Sequence, residues 1–235
     1  MTKDNSYSVI VLAAGRGLRV GGNIKKQFIP VRGKPLLYYP LKTITESAAS
    51  QIIIVASRED VVYVEQDIVS KYSFSKVKCV VSGGAERYLS VYEGLKQVDT
   101  PYVLIHDGAR ACVSRDIIEA VARGAFLYRA CEAAVPATDT IKLSDENGFV
   151  SMTPLRKSVW AMQTPQGFET ELIMRAYEKL FSTQDTDGIT DDGMLLQRAF
   201  ASQQIKLIEG SYDNIKVTTP KDIVLAESIL YPQKD

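Results

Sequence analysis

The feature that most narrows what this chain can fold into is a repeated exchange of two periodicities. Short β-rich apolar runs occupy YSVIVLAA (7–14), QIIIVAS (51–57), KVKCVVS (76–82), PYVLIHD (101–107) and CEAAVPA (131–137). Between them lie amphipathic stretches at 34–47, 58–72, 87–98 and 114–130. In the third of these, Leu89, Tyr92 and Leu95 recur at three-residue steps, as one face of a helix requires. Strand, helix, strand, helix in that order buries its apolar faces as a mostly parallel sheet covered on both sides. In such sheets ligands bind beyond the carboxyl ends of the strands. The loops after Ala14, Ser82, Asp107 and Ala137 are therefore expected to converge on one crevice.

The alternation lapses between Pro136 and Trp160. There DTIKLSDENGFVSMTP (139–154) runs with period two around Asn147-Gly148, a strong hairpin signal. A hairpin at this point either projects as a lid or dimerisation arm, or adds an antiparallel edge to the main sheet. Beyond it the pattern gives helices over 169–182 and 191–202, a strand near 205–209 and a terminal helix from about Lys221. No repeat, low-complexity tract or linker interrupts the chain. The expectation is one α/β domain over 1–235, Rossmann-like, its sheet flanked by helices, with a β-arm excursion over 137–160.

Charge excludes several classes of partner. Lys plus Arg equal Asp plus Glu at 28 each, so no global field draws the chain to nucleic acid or anionic lipid. The start, MTKDNSYSVIVLAAGRG, has only a short apolar run before arginine and does not read as a secretory signal. No apolar run approaches the roughly 18 residues of a membrane span. A cytoplasmic protein is expected. Cys79, Cys112 and Cys131 are odd in number and lack CxxC spacing, so they read as reduced thiols. The one histidine, His106, disfavours His-based metal cages and mechanisms needing two imidazoles.

An anion site must then be built locally, and VIVLAAGRGLRVGGNIKKQF (9–28) is where the residues gather. It lacks the GxxxxGK of a phosphate-binding Walker loop. It also misses the dinucleotide fingerprint GxGxxG. Gly15-Arg16-Gly17 is followed by Leu18, Arg19 and Val20, so the third glycine comes one residue late, and no clear acid follows to hold a ribose. An NAD(P)-dependent oxidoreductase is disfavoured. No acidic residue lies between Asp4 and Glu46, while Arg16, Arg19, Lys25 and Lys26 crowd one loop. Glycines let backbone N–H groups approach phosphate oxygens, and cations neutralise the rest. Four cations so close together suit a triphosphate whose charge must shift onto a leaving group.

That stretch resembles the opening of the sugar-phosphate nucleotidyltransferases. The likeness continues through GGAERYLSV (83–91), HDGAR (106–110), DTIK (139–142), WAMQTPQGF (160–168), TDD (190–192) and DNIKVTTPKD (213–222). Six motifs in register resemble one family within that group, the 2-C-methyl-D-erythritol 4-phosphate cytidylyltransferases. The resemblance implies attack of methylerythritol phosphate on the α-phosphorus of CTP, with Mg2+ or another divalent cation. A phosphate nucleophile is already ionised near neutral pH, so no general base is needed. Catalysis becomes positioning and charge stabilisation.

By this resemblance Arg19 and Lys26 stabilise the transition state, and Lys216 positions the nucleophilic phosphate near the α-phosphate. Ala13, Ala14, Gly15 and Gly17 belong to the nucleotide loop, and Gly84 and Ser90 hold the cytosine. Asp107 meets the metal and the substrate, Arg110 faces the substrate, and Thr164 lines its pocket. Thr140 and Arg156 reach the sugar phosphate from the neighbouring subunit of a homodimer, Arg156 with a catalytic role. The chain departs from the family's usual pattern at Lys25, at Ala85 and at Gly108 and Ala111, where a looser loop is expected. Two rivals remain. One is ribitol-5-phosphate cytidylyltransferase of teichoic acid synthesis, and the other a nucleotide-binding regulator without catalysis.

Overall fold

A computed structural model describes residues 4–15 and 24–232. In chain order the strands are β1 (Tyr7–Ala13), β2 (Pro30–Val31), β3 (Lys34–Pro35), β4 (Gln51–Ala56), β5 (Val77–Ser82), β6 (Tyr102–Asp107), β7 (Ala130–Pro136), β8 (Leu143–Ser144), β9 (Val150–Met152), β10 (Trp160–Glu169) and β11 (Lys206–Glu209). The α-helices are α1 (Tyr38–Thr45), α2 (Val61–Tyr63), α3 (Arg87–Leu95), α4 (Arg115–Tyr128), α5 (Thr170–Thr183), α6 (Asp192–Ala199) and α7 (Pro220–Leu230).

Seven strands form one sheet in the order β11-β7-β10-β6-β1-β4-β5. β1 pairs in parallel with β4 and β6, β4 with β5, and β11 with β7. β10 runs antiparallel to both its neighbours, β6 and β7. Along β1 alternate side chains enter different cores. Val9, Val11 and Ala13 join Leu41 and Ile44 of α1 and Ile117, Ile118 and Val121 of α4. Ile10 turns the other way, to Val91 and Leu95 of α3 and Leu172, Ile173 and Tyr177 of α5. A strand covered on both faces has no polar side, hence the unbroken apolar runs in the sequence. Burying each such Ile or Leu contributes about 1.5–3 kcal/mol.

The helix starts are written in short polar residues. Ser114 accepts from the Ile117 N–H ahead of α4, and Asp191 from the Met194 N–H at 2.7 Å ahead of α6. Thr219 and Asp222 close a capping box at the head of α7, with Pro220 in its first turn. Among the described residues no helix is long and apolar enough to cross a membrane.

The structure differs from the periodicity reading in three places. The stretch 34–47 begins as β3, paired with β2 across a turn in which Arg32 and Gly33 have φ of 48° and 78°, and helix follows only from Tyr38. The stretch 58–72 opens with a 3-10 turn at Arg58–Asp60 and, after α2, widens into a π-helix over Val64–Ser70. Sequence periodicity also misses β10 as a strand. Its Gln163, Thr164 and Gln166 interrupt the apolar pattern yet are buried, and its pairing with β7 slips in register between Met162 and Gln166.

The Asn147-Gly148 hairpin forms, and it resolves the choice left open above. β8 and β9 pair with each other in a separate two-stranded sheet, so the hairpin is no edge of the main one. Gly148 takes φ 84°, and the Asp145 carboxylate accepts from the N–H groups of Asn147 (3.0 Å) and Phe149 (2.9 Å). Phe149 is 72% and Leu155 63% exposed on this arm.

Candidate active site

At the carboxyl edge of the sheet a cavity of about 600 Å³ opens. The loop after β1 contributes Ala13, Ala14 and Gly15, and the loop after β5 contributes Gly83–Arg87 and, from α3, Ser90. Asp107 and Ala109 follow β6, while Lys26 and Lys216 close the sides. Three of the four expected loops thus converge. The loop after Ala137 does not line this cavity, because β7 lies beyond β10 in the sheet and its exit leads into the arm. Its place is taken by Ser57, Arg58 and Glu59 after β4.

Arg19 and Gly17, with Arg16, lie outside the described residues. The segment that follows them is pinned to the sheet. Gln27, 3% exposed, donates from Nε2 to the Ala13 carbonyl at 2.8 Å. This anchor was within reach of the sequence, since the Lys-Gln pair stands out after the glycines. Lys26, beside it, is half-buried, and burial together with the Lys216 ammonium lowers its pKa. Lys25 corrects the count of four phosphate-facing cations. Its Nζ lies 2.6 Å from Glu59 Oε1, 2.6 Å from Asp60 Oδ2 and 2.8 Å from Ser57 Oγ, so its charge is committed to the loop after β4.

In the loop after β5, Gly84 donates its N–H to Ser90 Oγ at 3.1 Å. A Cβ on Gly84 would lie 2.4 Å from the Leu89 Cβ, so the close turn onto α3 requires glycine. The Ser90 hydroxyl also reaches the Glu86 carbonyl at 3.2 Å, and it shapes this loop as much as it faces the cavity.

Asp107, at the end of β6, is 8% exposed. Its Oδ2 lies 2.6 Å from Lys216 Nζ and its Oδ1 3.5 Å from Arg87 Nε. Burial opposes ionisation, but the Arg87 guanidinium and Lys216 ammonium outweigh it and hold this carboxyl well below the usual range. Arg87 also bonds Asp192, its Nη2 2.8 Å from Oδ2. Both residues sit inside recognisable motifs, yet sequence reasoning gave neither a role.

Beneath the floor runs a chain of neutral hydrogen bonds. The Asp107 N–H donates to Thr164 Oγ1 at 3.0 Å, Thr164 Oγ1 lies 3.1 Å from His106 Nδ1, and His106 Nε2 lies 3.2 Å from the Arg110 carbonyl. Because the Arg110 carbonyl can only accept, the imidazole carries its proton on Nε2, and the Thr164 hydroxyl donates to the bare Nδ1. Burial pushes the His106 pKa down to about 4, which keeps the ring neutral here. Thr164 therefore braces the site and does not line this cavity. Arg110 likewise does not face it. Its Nη1 donates to the Asn214 carbonyl at 2.6 Å and its Nη2 to the Met162 carbonyl at 3.3 Å, tying β10 to the segment that carries Lys216. Thr140 and Arg156 are exposed on the arm, outside the cavity of their own chain. The loop at Gly108 is not loose either. Its N–H donates to the Leu12 carbonyl at 2.9 Å, and a Cβ would meet that oxygen and Leu37 Cδ1, both at 2.9 Å. Ala111 is buried against Val31, Leu36 and Val217.

Among the described residues no group of three or more His, Cys, Asp or Glu could hold a metal. Of the three carboxylates that line the cavity among the described residues, Glu59, Glu86 and Asp107, Asp107 is the buried one at the end of β6 and offers hard oxygen donors. That set suits a magnesium-like ion bound mainly through phosphate oxygens and water, and not a caged metal.

The family model for 2-C-methyl-D-erythritol 4-phosphate cytidylyltransferase matches residues 7–232. The chain belongs to this family. A 2-C-methyl-D-erythritol 4-phosphate cytidylyltransferase of Lachnoclostridium phytofermentans is 42% identical over 229 residues, covering 97% of each chain. One of Caldanaerobacter subterraneus subsp. tengcongensis is 42% identical over 230 residues, 96% of this chain and 99% of the other. The crystal structure of 4-diphosphocytidyl-2C-methyl-D-erythritol synthase from Anaerococcus prevotii superposes with a TM-score of 0.85 at 33% identity, covering 96% of both chains. The chain is thus a cytidylyltransferase by family, and its sheet is the family's sheet.

Proposed function

We propose that this chain transfers CMP from CTP to 2-C-methyl-D-erythritol 4-phosphate, releasing pyrophosphate, and so serves isoprenoid precursor synthesis by the non-mevalonate route. The observation that carries the proposal is the meeting of Lys26, Lys216 and Asp107 in one cavity behind a glycine loop. A phosphate oxygen of the polyol attacks the α-phosphorus, and the bond from that phosphorus to the bridging oxygen of pyrophosphate breaks. No proton must be removed, which fits a site whose buried imidazole stays neutral. Lys216 would leave Asp107 to meet the α-phosphoryl oxygens, and Lys26 lines the same cavity. Gly84 and the fixed loop around it offer backbone groups to a pyrimidine edge. Asp107 would hold a divalent cation, which supplies neutralising charge to the phosphates.

The arm supplies the rest. Thr140 and Arg156 of a second copy would enter the cavity and hold the polyol phosphate, which makes the working unit a homodimer. Replacing Phe149 and Leu155 together by aspartate is expected to shift the chain from twice its monomer mass to the monomer in light scattering, with activity falling alongside. A stable dimer of the double variant would remove the arm from the interface.

The first test of the function is pyrophosphate release with CTP and magnesium, comparing methylerythritol 4-phosphate with ribitol 5-phosphate. Release with the former alone is expected. Release with ribitol phosphate would keep the mechanism and change the substrate. Tight CTP binding without release would leave a regulator.

A further inference from the structure

The TDD motif places a carboxylate, Asp192, where nothing in the transfer chemistry uses it. Asp192 is 0% exposed, its Oδ1 accepts from Tyr177 Oη at 2.6 Å, and its N–H donates to Gln166 Oε1 at 3.0 Å. Its other oxygen meets Arg87, whose Nε looks back at Asp107. The guanidinium thus lies between two carboxylates, one fixed in the core and one on the cavity floor. Asp107 has two cationic partners of different character. The Lys216 side chain is 44% exposed on a flexible stem, whereas that of Arg87 is 27% exposed and its planar fork is tied down by a buried acid.

Resting on the CMP-transfer reading above, we infer that Arg87 is a positioning residue, a fixed counter-charge that holds the Asp107 carboxylate in place when Lys216 leaves it for the α-phosphoryl group. Without Arg87 the desolvated carboxylate would lose its nearest protein cation whenever Lys216 departed, which would hold Lys216 back until a divalent cation took its place. With Arg87 in place Asp107 keeps a partner throughout, and Lys216 is free to move. Asp192 and Tyr177 act through Arg87, out of the substrate's reach. Arg87 lines the cavity, but its Nη2 is paired with Asp192 and its Nε faces Asp107, so the two carboxylates fix the plane of its fork.

The test separates turnover from binding. Arg87→Met is expected to lower kcat about a hundredfold, as loss of a preorganised electrostatic contact does. Its Kd for CTP, measured by calorimetry with EDTA present, should stay within about threefold of wild type, since uniform binding is untouched. Arg87→Lys is expected not to rescue kcat, because one ammonium cannot bond both carboxylates. Tyr177→Phe removes one hydroxyl from Asp192 and cannot fail to fold for want of a charge. It should lower kcat by about three- to tenfold at unchanged KM, whereas a merely structural role would lower the melting temperature alone. A loss confined to CTP affinity would make Arg87 a phosphate ligand and overturn the inference. So would a kcat for both Arg87→Met and Tyr177→Phe equal to that of the wild type. A wild-type enzyme that releases no pyrophosphate in the same assay would sink the transfer reading itself.

Discussion

Lys216→Met is expected to lower kcat by about 10²–10³-fold, the usual cost of losing one preorganised charge aimed at a transition state. The backbone around this residue is clamped on both sides. The Val217 N–H donates to the Ala109 carbonyl at 2.9 Å, and Asn214 Nδ2 donates to the Thr164 carbonyl at 2.9 Å and to Gln163 Oε1 at 3.1 Å. Arg110 holds the Asn214 carbonyl from a third direction. The result is a long flexible side chain on a rigid base, able to exchange Asp107 for a phosphate without moving the main chain. Folding should suffer little, because Asp107 retains Arg87. Steady-state pyrophosphate release beside a thermal melt checks both halves. A kcat within fivefold of wild type would take Lys216 out of the chemistry.

Glu132→Gln is expected to stabilise the protein above neutral pH. Glu132 is 6% exposed in β7, against the first turn of α6. Burial first, then the carboxylates of Asp191 and Asp192, push its carboxyl up to about 8 from the 4.5 of a free glutamate. In the unfolded chain the group ionises near 4.5, so the raised folded value is a contribution to stability that is whole below pH 4.5 and lost as pH rises to about 8. A neutral amide of the same shape carries no such loss. It packs against Gly193 as the acid does, and it adds a donor toward the two aspartates. The gain at pH 8.5 is on the order of 3 kcal/mol, or about 6–12 °C in melting temperature for a chain of this size, and it should vanish near pH 4.5. Equal melting temperatures for wild type and variant at pH 8.5 would show that the carboxyl ionises freely in the fold.

The parallel half of the sheet was legible because β1, β4 and β6 are covered on both faces and so carry unbroken apolar runs. That the loop after Asp107 opens on the crevice was legible for the same reason, while the role of Asp107 itself came from the resemblance of HDGAR to the family's motif. β10 was not, because its buried glutamines are satisfied by partners far along the chain, Asn214 for Gln163 and Asp192 for Gln166. Lys25 looked like a phosphate cation because its carboxylate partners lie 34 and 35 residues on. The part Arg110 plays in bracing the site was not legible either, because its two carbonyl acceptors lie 104 and 52 residues away. Local pattern reports which residues carry charge. It does not report which charges the fold has already spoken for.

The arm leaves and rejoins the sheet at one closed step, where the Ala137 N–H donates to the Val159 carbonyl at 2.9 Å. The ends of the excursion are therefore held together by β7 and β10 whatever lies between them. Lengthening an excursion with fixed ends costs little, about 0.6 kcal/mol for each doubling, so the body of the protein is nearly indifferent to how far the hairpin extends. Its reach is left to be set from outside, by the distance to whatever surface it has to touch.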